Sequence, residues 1–178
     1  TAAYFVAGAG DEQSASVARS MLEAGHLGRD LIFGADGTDE IIRGTEEALG
    51  AIVDSAGING PGGQDFKRFV ASVNANHLSR CIVFVPDSDG PWRERIAEGL
   101  AGLPAPPLFI IGIDGRFVKS LRGGFGFLWR PDNDAVNGER LTVFCDALQD
   151  LGSPIQVIHT SEGRTVTAAE LEALRSAS

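Results

Sequence analysis

Arg80 to Leu103 reads RCIVFVPDSDGPWRERIAEGLAGL. Cys81–Val85 is a continuous apolar run, rich in β-branched residues and short enough for a strand buried on both faces. Pro86 ends it. Asp87 and Asp89 follow, one residue apart, and then Gly90 and Pro91. From Trp92 the apolar residues recur at Trp92, Ile96, Leu100 and Leu103, the spacing of one helix face. Pro91 suits the first turn of that helix, where a missing N–H costs nothing. The stretch therefore predicts a strand, an acidic turn and a helix. In open α/β sheets, ligands bind where a buried strand hands over to a helix in this way.

The acidic turn has two readings. Residues i and i+2 of an extended segment point the same way, so Asp87 and Asp89 can converge on one hard cation. Mg²⁺ or Mn²⁺ suits such oxygen ligands. Asp and Gly are also ordinary turn residues, and Asp89 equally serves as a cap for the Trp92 helix. Arg93 and Arg95 lie just inside that helix, in position to clamp a phosphate. With Glu94 and Glu98 between and beyond them they also read as a solvated face.

The same alternation extends through the chain. Tyr4–Val6 starts a strand that runs into Ala7-Gly8-Ala9-Gly10, then Asp11 and Glu12, then a helix with Val17, Met21 and Leu22 inside. A glycine turn between strand and helix can hold phosphate on backbone N–H groups, which makes Gly8 and Gly10 candidates. The full GxGxxG pattern is missing, and close strand–helix packing explains the glycines as well. Leu31–Phe33 leads into Gly34-Ala35-Asp36-Gly37-Thr38, in which Asp36 reads as a turn residue. Thr38 is the expected N-cap of a helix bearing Ile41, Ile42, Leu49, Ile52 and Val53. GINGPGG at 57–63 reads as a loop, followed by a helix with Phe66, Phe69, Val70 and Val73 inward.

Leu108–Ile113 is another buried strand, with Asp114-Gly115 set for a hairpin to Phe117–Leu121. Phe125, Phe127 and Trp129 alternate as on a strand face. Pro131-Asp132-Asn133 breaks that run. Gly138-Glu139 opens a helix with Leu141, Phe144, Cys145, Leu148 and Leu151. Ile155–Ile158 is the last strand. Thr167–Glu170 is a capping box that starts a final helix with Leu171 and Leu174. The whole predicts one α/β domain over 1–178: a mainly parallel, Rossmann-like sheet with helices on both faces. Asp36, Asp89 and Asp114 would then share one edge of the sheet.

The net charge of −9 argues against nonspecific nucleic-acid binding, which needs clustered Lys and Arg. It leaves room for a protein that meets phosphates through a metal ion. Cys81 and Cys145 both sit in apolar surroundings, so free thiols and a reducing cytoplasm are expected. No apolar run reaches the length of a membrane span, so no membrane partner is expected. His26, His77 and His159 lack metal-ligand spacing. The chain contains no Gly-x-Ser-x-Gly elbow, which removes the serine-hydrolase reading.

From Tyr4 to Leu151 the order of parts resembles a Toprim domain, the metal-binding module of topoisomerases, primases and several nucleases. YFVAGAGDEQ is similar to the family's first segment and CIVFVPDSDG to its Asp-x-Asp segment. FGFLWRPDNDAVNGERL is similar to a later strand that ends in Pro-Asp-Asn before a helix opened by Gly and Glu. The nearest likeness is to small stand-alone Toprim-like proteins, with 152–178 added as a C-terminal strand and short helix. The resemblance implies that Asp87 and Asp89 hold Mg²⁺ or Mn²⁺ and that the substrate is nucleic acid, met through the metal. It implies a nuclease-like phosphodiester enzyme. The family's glutamate after the first strand falls on Ala7, however, whose methyl group has no acid, base or ligand chemistry. Glu12, five residues on, would have to reach back to act as the general base. A domain that keeps the metal pair and lacks the glutamate implies the alternative, a non-catalytic binding or regulatory module.

Overall fold

A computed structural model describes residues 1–56, 62–114 and 138–176. Among the described residues, six strands form one sheet in the order β2-β1-β3-β4-β5-β6. They are β1 (Ala2–Phe5), β2 (Ile32–Ala35), β3 (Cys81–Val85), β4 (Leu108–Ile113), β5 (Ile155–His159) and β6 (Arg164–Thr165). The first five pair in parallel, and β6 closes the edge antiparallel to β5. This is the mainly parallel, Rossmann-like α/β sheet expected from the sequence.

Strand periodicity divides the core in two. Ala2, Tyr4, Val83, Val85, Phe109 and Ile111 face one side. There they meet α3 (Phe66–Ala75), α4 (Trp92–Leu100) and α5 (Gly138–Gln149). Ala3, Phe5, Ile82, Phe84 and Ile110 face the other side and meet α1 (Glu12–Glu23) and α2 (Thr45–Ala56). All five residues of β3 are buried, as a central strand covered by helices on both faces requires. On the α3 side, Tyr4, Phe66 and Phe69 form an aromatic cluster with ring centroids 5.1 to 6.1 Å apart. Each such fully buried side chain contributes about 1.5–3 kcal/mol of hydrophobic free energy. Cys81 and Cys145 are buried free thiols, and burial pushes the Cys81 thiol up to about 12.

Three local expectations are corrected. Thr38 does not cap a helix. Its hydroxyl donates to the Ala35 carbonyl and accepts from the Ala35 N–H, closing a turn at the end of β2. The chain then returns so that Ile42 bridges Phe33 antiparallel, and α2 starts only at Thr45. The bridge uses Phe33's edge hydrogen bonds, so Ile41 and Ile42 are apolar for sheet-edge cover and not for helix packing. Val53, read from spacing as an inward residue, is exposed. Ile155–Ile158, read as the last strand, is followed by a turn and by the short β6 of Arg164 and Thr165. The expected hairpin after Asp114, the Phe125–Trp129 strand and Pro131-Asp132-Asn133 lie outside the described residues.

The capping box forms as read. The Glu170 N–H donates to the Thr167 hydroxyl at 3.3 Å, and the Thr167 N–H donates to the Glu170 carboxylate at 2.8 Å. These bonds start α6 (Ala168–Ser176), and Arg164 on β6 pairs with the same carboxylate. The Arg164 hydrogen bond, then the Thr167 bonds, hold the Glu170 carboxyl down at about 2. A depressed carboxyl stabilises the fold above its unfolded pKa, and that contribution is lost as pH falls through the folded value. Amide-exchange protection at the start of α6 should therefore decline between about pH 4.3 and pH 2. Glu170→Gln should remove that decline. A variant that keeps the acid-sensitive profile would show that another group controls it.

Candidate functional site

The strand order places a reversal of chain direction across the sheet at β1. From β1 the chain goes to β2 on one side, then crosses to β3 on the other. In sheets of this order, the loops leaving the two strands at the switch point flank the binding crevice. Here those loops are 6–11, after β1, and 86–91, after β3.

One backbone bond and one side-chain bond lock the two loops together. The Asp87 N–H donates to the Gly10 carbonyl at 3.0 Å, and the Ser88 hydroxyl donates to the Ala9 carbonyl at 2.9 Å. Gly10 has φ +84°, and a Cβ built on it would lie 2.1 Å from Asp87 Oδ1. The glycine is therefore what leaves space for the Asp87 carboxylate. Asp89 lies two residues on and is about half exposed. Its Oδ1 accepts the Gly90 N–H at 2.8 Å and pairs with Arg93 Nε at 3.2 Å. Trp92 closes the back of the turn: its indole N–H donates to the Ser88 carbonyl at 3.2 Å, and its ring is buried against Phe144.

The remaining sequence candidates fall in different places. Gly8 directs its N–H to Asp11 Oδ2 at 2.9 Å, so the glycine turn is closed by its own carboxylate. Burial raises the Asp11 carboxyl above the ordinary range. Glu12 is the first residue of α1 and is exposed. Ala7, where the resemblance to the Toprim pattern would put a glutamate, is buried with 1% exposure. Arg93 turns back to Asp89, whereas Arg95 Nη1 donates to the Gly62 carbonyl at 3.0 Å. The two arginines thus diverge. Asp114 directly follows β4 on the same sheet edge and is exposed.

Asp36 is the residue that sequence reasoning undervalued. It is 4% exposed and not a surface turn residue. Its Oδ1 accepts the Tyr4 hydroxyl at 2.7 Å, and its Oδ2 accepts the N–H groups of Ala7 at 3.0 Å and Gly63 at 2.7 Å. Its carbonyl accepts the Ser55 hydroxyl at 2.6 Å. One carboxylate therefore ties the exits of β1 and β2 to the lead-in to α3. Burial raises its pKa, against the hydrogen bonds from Gly63, Tyr4 and Ala7. The only sequence signal was a tyrosine in an otherwise apolar strand, whose hydroxyl needed a buried partner.

Among the described residues, no group of three or more His, Cys, Asp or Glu side chains is placed to hold a metal ion. Asp87 and Asp89 nevertheless supply two carboxylates on a turn whose Gly10 wall leaves room for one of them. Mg²⁺ is commonly held by one or two carboxylates with water and a substrate phosphate completing its shell, so Asp87 and Asp89 are the residues that would hold it, with Asp89 Oδ1 released from Gly90 and Arg93 or sharing them. No described helix is long and apolar enough to cross a membrane. Compared with protein-family models, curated proteins and solved structures, the chain gives no significant match.

Proposed function

We propose that the chain is a Toprim-like binding module that holds Mg²⁺ or Mn²⁺ at Asp87 and Asp89 and meets a nucleic-acid phosphate through that ion, without cleaving it. The observation that carries this reading is the contrast between Ala7 and the acidic turn. The turn retains two carboxylates beside a glycine that makes room for one of them. Ala7 is buried and contributes only a methyl group, and its N–H is engaged by Asp36. Glu12 stands in solvent at the helix start. General acid–base catalysis needs a group within hydrogen-bond reach of the reacting proton, and a displacement of about 1 Å already costs about a hundredfold.

In this reading the ion would supply positive charge in a protein of net charge −9, which otherwise repels a phosphate backbone. Asp87, fixed by its backbone bond to Gly10, and Asp89, oriented by Gly90 and Arg93, would be its ligands. A second reading, a nuclease-like phosphodiester enzyme, draws on Asp11. That carboxyl lies in the loop after β1, beside the acidic turn, and burial raises it above the ordinary carboxylate range, against the Gly8 N–H that it accepts.

Trp92 reports on the turn directly, because its indole N–H holds the Ser88 carbonyl. In a Trp129→Phe background, Mg²⁺ or Mn²⁺ should change Trp92 fluorescence saturably. Asp87→Asn/Asp89→Asn should abolish the response while leaving the thermal melt intact. A wild-type protein with no saturable response would overturn the metal reading. Metal-stimulated cleavage of a labelled oligonucleotide, lost in Asp11→Asn, would replace the binding module with the enzyme.

A further inference from the structure

We propose that the cleft between α3 and α4 is a second phosphate subsite, which takes a neighbouring backbone phosphate of the strand held at the acidic turn. The proposal deepens the nucleic-acid reading above and rests on it. The cleft has a volume of about 440 Å³ and is lined by Gly63, Gln64, Lys67, Arg95 and Glu98. Lys67 comes from α3 and Arg95 from α4, so two helices aim a cation into one space.

The geometry connects this cleft with the acidic turn. A Cβ built on Gly62 would lie 1.9 Å from the Ala7 carbonyl oxygen, and one built on Gly63 would lie 3.1 Å from the Trp92 carbonyl and 3.3 Å from Arg95 Cβ. The Gly62-Gly63 strip is therefore wedged between the exit of β1 and the start of α4. Trp92 links the two places: its indole N–H donates to the Ser88 carbonyl in the acidic turn, and its backbone carbonyl lies beside Gly63, which lines the cleft. In this proposal a strand that crosses the sheet edge at Asp87 and Asp89 continues past Gly63 to Lys67 and Arg95.

The cleft already holds an anion of the chain itself. Lys67 Nζ lies 2.7 Å from the Glu98 carboxylate, an exposed pair. The Lys67 hydrogen bond and charge, with a smaller contribution from Arg95, hold the Glu98 carboxyl below its ordinary range. Exposed pairs of this kind contribute little to stability, so an incoming phosphate displaces the carboxylate at small cost. Arg95 is oriented by the Gly62 carbonyl, which fixes the guanidinium at the cleft wall. Glu98 then acts as a competitor for the phosphate, and its removal strengthens binding.

The test is fluorescence anisotropy with a labelled single-stranded oligothymidylate in Mg²⁺ and in EDTA over a salt series. It compares wild type with Lys67→Gln/Arg95→Gln, Glu98→Gln and Asp87→Asn/Asp89→Asn. Lys67→Gln/Arg95→Gln is expected to weaken binding about tenfold and to flatten the salt dependence, since each phosphate contact on a single strand contributes ~0.7 to the slope. Glu98→Gln is expected to tighten binding several-fold, a gain that misfolding does not produce. Asp87→Asn/Asp89→Asn should lose the Mg²⁺-dependent part and keep its sensitivity to the cleft. Mg²⁺-dependent binding that both cleft variants leave unchanged would overturn the subsite and leave the acidic turn standing. A wild-type protein that binds no oligonucleotide in Mg²⁺ would overturn both.

Discussion

Asp36→Ala is expected to lower the free energy of unfolding by about 4 kcal/mol. The substitution leaves the Tyr4 hydroxyl and the N–H groups of Ala7 and Gly63 without their acceptor in a buried place. Each buried donor left unsatisfied costs about 1–3 kcal/mol. Domains are stable by only about 5–15 kcal/mol, so urea denaturation should show a large fall in midpoint. Asp36→Asn should cost less. Its amide oxygen still accepts from Ala7 and Gly63, whereas its NH₂ group forces the Tyr4 hydroxyl to find another acceptor. The pH dependence has a defined sign. Desolvation raises the folded-state pKa of Asp36, so its protonated form is favoured in the fold. The wild-type margin over Asp36→Asn is therefore largest in acid, falls as pH rises from the unfolded carboxylate range through the folded pKa, and is level above it. Tyr4, whose own ionisation is pushed far upward by burial and by Asp36, stays neutral throughout. Asp65 faces the same pair and is itself paired with Arg68, so the comparison is made at constant ionic strength. Equal midpoints for wild type and Asp36→Ala would rule out the buried hub.

The sequence was most legible where burial and periodicity act together. Cys81–Val85 is apolar at every position because β3 is covered on both faces, and period alone separates Trp92, Ile96 and Leu100 as a helix side. The Thr167–Glu170 box was readable because its bonds are local, within four residues. Asp36 was not. Its partners are 32, 29 and 27 residues away, and the same Asp-Gly pair also marks an ordinary turn. Thr38 misled for a related reason: a hydroxyl before an apolar run is the signal for both a helix cap and a turn, and here Ala35 takes it. The acidic turn itself was visible as a motif. Its wall was not, because the contact between Gly10 and Asp87 spans two loops joined only by strand order. The divergence of Arg93 and Arg95 likewise depends on which neighbour each reaches, Asp89 in the turn just before α4 and Gly62 in the lead-in to α3.

Gly112→Ala is expected to destabilise the fold by about 3 kcal/mol and to weaken the metal response of Trp92 with it. Gly112 lies in β4 on the face covered by α1. A Cβ there would fall 2.3 Å from the carbonyl carbon and oxygen of Gln13 and 2.6 Å from the Ser14 nitrogen. These are backbone atoms of the first turn of α1, so no side-chain rotation relieves the clash and the helix must lift. Overpacking of a close-packed interior costs about 1–3 kcal/mol, and a backbone obstacle belongs at the upper end. Three tethers lie at that point. The Gly112 N–H donates to the Ser14 hydroxyl at 3.0 Å, that hydroxyl donates to the Val85 carbonyl, and the Thr160 hydroxyl donates to Gln13 Oε1 at 2.7 Å. Val85 is the last residue of β3, so lifting α1 loosens the strand end from which Asp87 and Asp89 project. It also carries away Asp11 and the loop whose Gly10 carbonyl holds the Asp87 N–H. Ser14→Ala separates the two effects. It removes the hydroxyl bridge without adding bulk but leaves the buried Gly112 N–H and Val85 carbonyl without that partner, so its cost should be about 2 kcal/mol, with α1 still seated. Denaturation midpoints and the Trp92 titration on the same samples give the answer. Gly112→Ala with wild-type stability would mean that α1 is not seated against β4 at this distance. A stability loss with an unchanged metal response would mean that the acidic turn is held by its own loop bonds and not by the helix behind it.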